Sequence, residues 1–284
     1  MNFNAYPQDV ESGPLKGGHP TAEPAKPKNG PLLCVRGLHH SFGDTVVLDD
    51  IFFELYQGDI LAIVGESGSG KTTLLNCLYS HIQANKGHIY FDCMSQGSVD
   101  MGTLTQAQQR FIRRTQWGFV HQNPRDGLMM KVSAGANIGE RLMSLGERHY
   151  GKIRARALES LREVEIDTSR IDDLPTTYSG GMQQRLQIAR NLVTHPRLLL
   201  MDEPTSGLDV SVQAKLLDLL KQLTYQRGLA AVIVTHDLAV ARLLSTQMIV
   251  MQRGRVIESG LTDQILDDPQ HAYSQLLVSS ILQN

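Results

Sequence analysis

The sequence predicts an α/β fold carrying a mostly helical insertion. Three observations lead there. An apolar run, Ile60 to Val64, passes through a glycine-rich loop straight into a helical stretch, Lys71 to Leu78. Two more strand-length apolar runs, Leu198 to Asp202 and Ala230 to Thr235, alternate with helix-patterned segments, as buried parallel strands do. Residues about 104–177 separate the first helix from these runs, and their apolar spacing is mostly helical.

Taken in order, residues 1–31 stand apart. Pro7, Pro14, Pro20, Pro24, Pro27 and Pro31 fall here with Gly13, Gly17, Gly18 and Gly30, and apolar periodicity is absent. Such a segment cannot offset its ordering entropy by burial, so a disordered tail is expected, with the folded domain at 32–284. Short β-type runs, Leu32 to Leu38 and Ile51 to Leu55, precede the apolar run at Ile60. In the insertion, Gln106 to Arg114, Ile138 to Leu145 and Lys152 to Val164 read as helices and Trp117 to His121 as a strand. Met182, Leu186, Ala189 and Val193 then mark one helix face, and Val212, Leu216, Leu219, Leu220 and Leu223 the next. Gln247 to Gln252 and Arg255 to Gly260 read as a hairpin around Arg253-Gly254. An amphipathic stretch, Tyr273 to Leu282, closes the chain.

Composition excludes several function classes. A formal net charge of −2 gives no electrostatic reason to bind nucleic acid or an acidic membrane surface. No apolar run approaches the roughly 20 residues that span a bilayer, so no direct membrane insertion is expected and the place of action is the cytoplasm. Cys34, Cys77 and Cys93 are scattered among apolar residues, which suits small buried hydrophobes better than a metal site.

Chemistry concentrates in three places. Gly65-Glu66-Ser67-Gly68-Ser69-Gly70-Lys71-Thr72 fits GxxxxGK[ST], with Thr73 next in the helix. Backbone N–H groups bind phosphates in such a loop, so side chains must be small and glycines must permit unusual dihedrals. Lys71 is placed to reach the β- and γ-phosphates, and the Thr72 hydroxyl to hold Mg²⁺. Leu198 to Asp202 delivers Asp202 to a strand end, where it can hold the same cation, with Glu203 beside it as general base. Strand-end acids alone are common; next to a phosphate loop they gain meaning. Ser179-Gly180-Gly181 opens a third helix with a hydroxyl and free N–H groups, a second phosphate-binding end in one chain. Alone it is an ordinary helix cap.

Tyr178-Ser179-Gly180-Gly181-Met182-Gln183-Gln184-Arg185 resembles the signature of ATP-binding cassette proteins. The likeness covers about residues 32–265. It implies the P-loop NTPase cassette fold, with a mixed sheet, an antiparallel β part and an inserted helical lobe. It also implies ATP and Mg²⁺ as ligands, ATP hydrolysis, and a second cassette subunit, identical or related. By this resemblance Gln122 is the glutamine that touches Mg²⁺, His236 contacts the γ-phosphate, and Phe42 stacks on adenine. Asp209, in Ser206-Gly207-Leu208-Asp209, crosses the dimer interface. Ser179, Gly180, Gly181 and Gln183 act in trans on the partner's nucleotide. Met182 stands where the family usually has glutamine.

Within the family, residues 202–213 and His271-Ala272-Tyr273 resemble the ATPases of peptide and nickel importers. The lobe segment Val132 to Met143, with Arg148 to Gly151, Ile171 to Thr177 and Leu276 to Asn284, is similar instead to ATP-binding subunits of carbon–phosphorus lyase systems. That likeness implies docking on a soluble lyase core complex rather than on a permease. An importer subunit and a nucleotide-gated adaptor with negligible hydrolysis are the competing expectations.

Overall fold

The computed structural model describes residues 30–93 and 97–280. The expected tail, apart from residues 30 and 31, lies outside them, as do residues 281–284.

Two sheets form the core. The first is antiparallel, in the order β2-β1-β4-β5, from β1 (Leu33–Phe42), β2 (Thr45–Leu55), β4 (Lys86–Cys93) and β5 (Gly97–Asp100). The second has the order β10-β9-β3-β8-β7-β6, from β3 (Ile60–Val64), β6 (Trp117–Val120), β7 (Leu198–Asp202), β8 (Ala230–Val234), β9 (Gln247–Gln252) and β10 (Arg255–Leu261). Its strands are parallel except for the β9–β10 hairpin. Helix α1 (Lys71–Leu78) follows β3, α6 (Gly180–Leu192) precedes β7, and α7 (Val210–Arg227) joins β7 to β8. Four short helices, α3 (Pro124–Gly127), α8 (Leu238–Leu244), α9 (Thr262–Asp267) and α10 (Ala272–Ser279), complete the turns and the end of the described chain.

Strand alternation divides the apolar residues between two cores. Ile60, Ala62 and Val64 of β3 face α6, α7 and α8. Leu61 and Ile63 face the other way, with α1 and the antiparallel sheet. The central strands β3, β7 and β8 are buried along their whole length, which is why they read as unbroken apolar runs.

The insertion is less uniform than its periodicity suggests. Helices α4 (Ala134–Ser144) and α5 (Tyr150–Glu163) pack with α6 on one core. Helix α2 (Gln106–Thr115) belongs to the opposite core through Ile112, and β6 is the edge strand of the main sheet. An edge strand carries backbone groups with no strand partner. Side chains supply partners here: Arg141 of α4 donates to Trp117 O, and Asn191 of α6 pairs with both Phe119 N and Phe119 O.

Candidate functional site

The phosphate loop lies between β3 and α1. Gly65, Gly68 and Gly70 have φ of 150°, 81° and 102°, which side-chain-bearing residues rarely adopt. A Cβ on Gly65 would sit 2.2 Å from Met251 O, and one on Gly70 would sit 2.7 Å from Val47 O. Both glycines are therefore fixed by close backbone approach as well as by dihedral. The turn between β9 and β10 braces the loop, because Gly254 N donates to Ser69 O and Gly254 O accepts from Asp49 N. Lys71 folds back on the loop, with Nζ donating to Gly65 O and Glu66 O, both at 2.8 Å. Burial lowers its pKa, partly opposed by the negative charges of Glu203, Asp202 and Glu66. Ser67 and Gly68 are exposed, Ser69 is buried, and Thr73 lies in the first turn of α1. Glu66 N donates to Tyr273 Oη at 3.0 Å, tying α10 to the loop.

Asp202 ends β7 beside this loop. Thr72 Oγ1 donates to Asp202 Oδ1 at 3.2 Å, which brings two hard oxygen atoms together, a donor set that could hold a divalent cation. Desolvation raises the Asp202 carboxyl pKa against the opposing pull of that hydrogen bond and of Lys71. Glu203 follows at φ 41°, held there as its N–H donates to Val234 O. Such a dihedral costs a non-glycine residue about 1–3 kcal/mol and aims its side chain off the strand end.

Two predicted side chains converge on Glu203. Gln122 Nε2 donates to Glu203 Oε2 at 3.1 Å, and His236 Nδ1 lies 3.0 Å from Glu203 Oε1. Gln122 also donates to Ser206 Oγ at 3.2 Å. Its hydrogen bonds thus go to the carboxylate and Ser206 rather than to Thr72 or Asp202, the pair it was expected to join. Chain segments 81 residues apart meet at this point.

Ser179 caps α6, its Oγ accepting from Met182 N, and both Ser179 and Gly180 are exposed. Gly181 is buried against α7, where a Cβ would lie 2.4 Å from Val212 Cγ1. Its small size thus serves helix packing as well as any ligand. Gln183 corrects an expectation. Its side chain turns inward, donating to Pro175 O and Tyr178 O, so its amide is committed to the loop before α6. Met182 Sδ accepts from Arg170, which also lies over the Tyr178 ring. Asp209 caps α7 and its carboxyl is lowered in pKa, first by Val212 N–H and then by the Ser211 hydroxyl. Phe42 ends β1 with an exposed ring, and β2 runs from there to the phosphate loop at Val47.

Sequence reasoning missed three contributors: Tyr273, Gln184 and Gln187. Tyr273 had been noted only as part of a family-like tail. The other two are polar positions on α6, fully or nearly buried, and each bonds the His121 backbone more than 60 residues away.

Comparisons with known proteins show the family. The sequence pattern of the family described as ABC transporter matches residues 48–206, and that of an AAA domain matches residues 174–242. The chain is 59% identical over 256 residues to the ATP-binding protein PhnK of Escherichia coli (strain K12), named for phosphonates utilization, covering 90% of this chain and 100% of that one. It is 37% identical over 233 residues to the dipeptide transport ATP-binding protein DppF of the same organism, covering 82% and 68%. Among solved structures, the ATP-binding cassette MJ0796, seen as a dimer in a post-hydrolysis state with ADP and Pi, superposes with a TM-score of 0.73 at 30% identity. That match covers 81% of this chain and 98% of that one. The chain therefore belongs to the ABC transporter family and is an ATP-binding cassette ATPase.

Proposed function

We propose that the chain hydrolyses ATP in a site shared with a second cassette, as the ATPase subunit of a carbon–phosphorus lyase system for phosphonate breakdown. The observation that carries the hydrolytic part is the meeting of Gln122 and His236 on Glu203, next to Asp202 and Lys71. Lys71 and the loop N–H groups hold the β- and γ-phosphates. Phe42 stacks on the adenine. Glu203 orients the attacking water and takes its proton as the new bond to the γ-phosphorus forms and the bond to ADP breaks. His236 steadies that carboxylate and meets the γ-phosphate. The exposed end of α6, Ser179 and Gly180, covers the γ-phosphate of the partner, and Asp209 lies at the same interface.

Mg²⁺ fits the Thr72–Asp202 pair, because a hydroxyl and a desolvated carboxylate 3.2 Å apart are hard oxygen donors short of counter-charge. Thr72 and Asp202 would hold it, with Gln122 reaching it when the site closes, and it would offset charge on the phosphates.

The system assignment is supported by 59% identity to PhnK along that protein's full length and by the lobe segment after Gln122. The test is purification of the native chain from phosphate-starved cells growing on a phosphonate. Recovery of the lyase core subunits in the cytoplasmic fraction is the expected result. Recovery of membrane permeases without lyase subunits would overturn it and favour the importer reading, to which the 37% identity to DppF lends support.

A further inference from the structure

We infer that Gln187, a buried residue in the middle of α6, positions Gln122 for hydrolysis; this rests on the reading of Gln122 and Glu203 as the hydrolytic pair. Gln187 has no exposed surface. Its carboxamide grips one residue of the loop after β6. His121 N donates to Gln187 Oε1 at 2.6 Å, and Gln187 Nε2 donates back to His121 O at 3.1 Å. Gln184, one turn earlier, adds a donor to the same carbonyl at 3.2 Å and accepts from Gln187 Nε2 at 3.1 Å. A carboxamide can donate to and accept from one backbone residue without carrying a charge.

The next residue is Gln122, whose Nε2 reaches Glu203 Oε2 at 3.1 Å. A short line of contacts thus runs from α6 through the His121 backbone to the carboxylate. Gly127 closes it from the far side. A Cβ there would lie 2.2 Å from Gln187 Oε1, so the short helix α3 rests directly on the amide and leaves it one position.

The location of the grip argues for aim rather than sheet building. Pairing between β6 and β7 ends at Val120 with Met201. Asn191 makes a matching pair of bonds at Phe119, inside the strand, where they complete the edge. Gln187 acts one residue beyond the last paired position, where no ladder needs completing. What it fixes is the peptide from which Gln122 departs. Low dielectric strengthens these bonds and makes loss of one partner expensive for the other.

The test compares Gln187→Met with Asn191→Leu in the full chain. Both remove a buried amide of similar bonding and should lower the thermal midpoint by comparable amounts. Gln187→Met should lower kcat for ATP roughly ten- to a hundredfold, since small misplacement of a reacting group has effects of that order, while KM stays within about twofold. Asn191→Leu should keep kcat within about twofold of the native chain. Unchanged kcat in Gln187→Met overturns the inference, and so does a fall in kcat that tracks lost stability equally in both variants. Glu203→Gln, assayed in parallel, separates the two levels. If it turns over normally, the hydrolytic reading itself fails. If it is inactive while Gln187→Met is normal, only the role of Gln187 fails.

Discussion

Glu203 sits in a strained backbone conformation, accepts from two side chains, and follows an acid that pairs with Thr72. Replacing it with glutamine keeps the shape but leaves one acceptor oxygen where there were two. Glu203→Gln should therefore lose kcat by roughly 10²- to 10⁴-fold while still binding ATP, and should trap the closed dimer. Single-turnover kinetics with a sizing column reads both, and normal turnover would remove Glu203 from the catalytic role. Gly181 makes a second point at this scale. Gly181→Ala places a methyl group 2.4 Å from Val212 Cγ1 and should destabilise the fold by roughly 1–3 kcal/mol. Val212→Ala in the same chain should recover much of that loss, as measured by denaturant unfolding. The phosphate loop, Asp202 and Glu203 were legible in the sequence because each is a reactive type at a strand or helix end, whereas His236 was read only through the family resemblance. Gln183 and Gln187 were not, since neighbouring glutamines on one helix look alike until the fold shows which backbone each one meets.

Legibility fell away among the elements that lack a periodic signature. The all-buried strands and the longer helices were readable from apolar spacing. The antiparallel sheet was readable only in part. β2 begins at Thr45, ahead of its apolar half, and β4 carries Lys86, His88 and Asp92 among its eight residues. Its place in the sheet comes from pairing with β1, a contact some fifty residues away along the chain. Helices α8 and α9 are only seven and six residues long, too short for a period to show. The lobe makes its own prediction. Asp167 is held below the usual carboxylate range by Ser169, Asp172 by Arg154, and Glu147 by the His149 and Arg148 N–H groups. A carboxyl whose folded pKa is depressed stabilises the fold above its unfolded value of about 4, and that contribution fades as pH falls through the lower folded value. Amide protection in residues 147–173, taken relative to the intrinsic exchange rate at each pH, should thus fall below about pH 4 before that of the β3–β7–β8 core. Equal protection in both regions down to global unfolding would contradict this.

Across the whole molecule, one six-stranded sheet separates two apolar cores and presents its functional strand ends together. The phosphate loop, Glu203 and His236 all follow the C-terminal ends of β3, β7 and β8. Among the described residues the exposed start of α6 bonds to none of them, although its middle grips the loop that carries Gln122. A site opened in one chain and closed by another accounts for both facts. Mixing two inactive variants tests this most directly. Lys71→Ala removes the phosphate contact. Ser179→Asp keeps a good helix cap but sets a negative charge against the γ-phosphate. In a mixed dimer, one site joins the intact loop of the second chain to the intact α6 end of the first. The account predicts that each variant alone hydrolyses ATP at background level and that the mixture regains part of the native rate. A mixture as inactive as its components, with dimers formed, would contradict a site shared between chains.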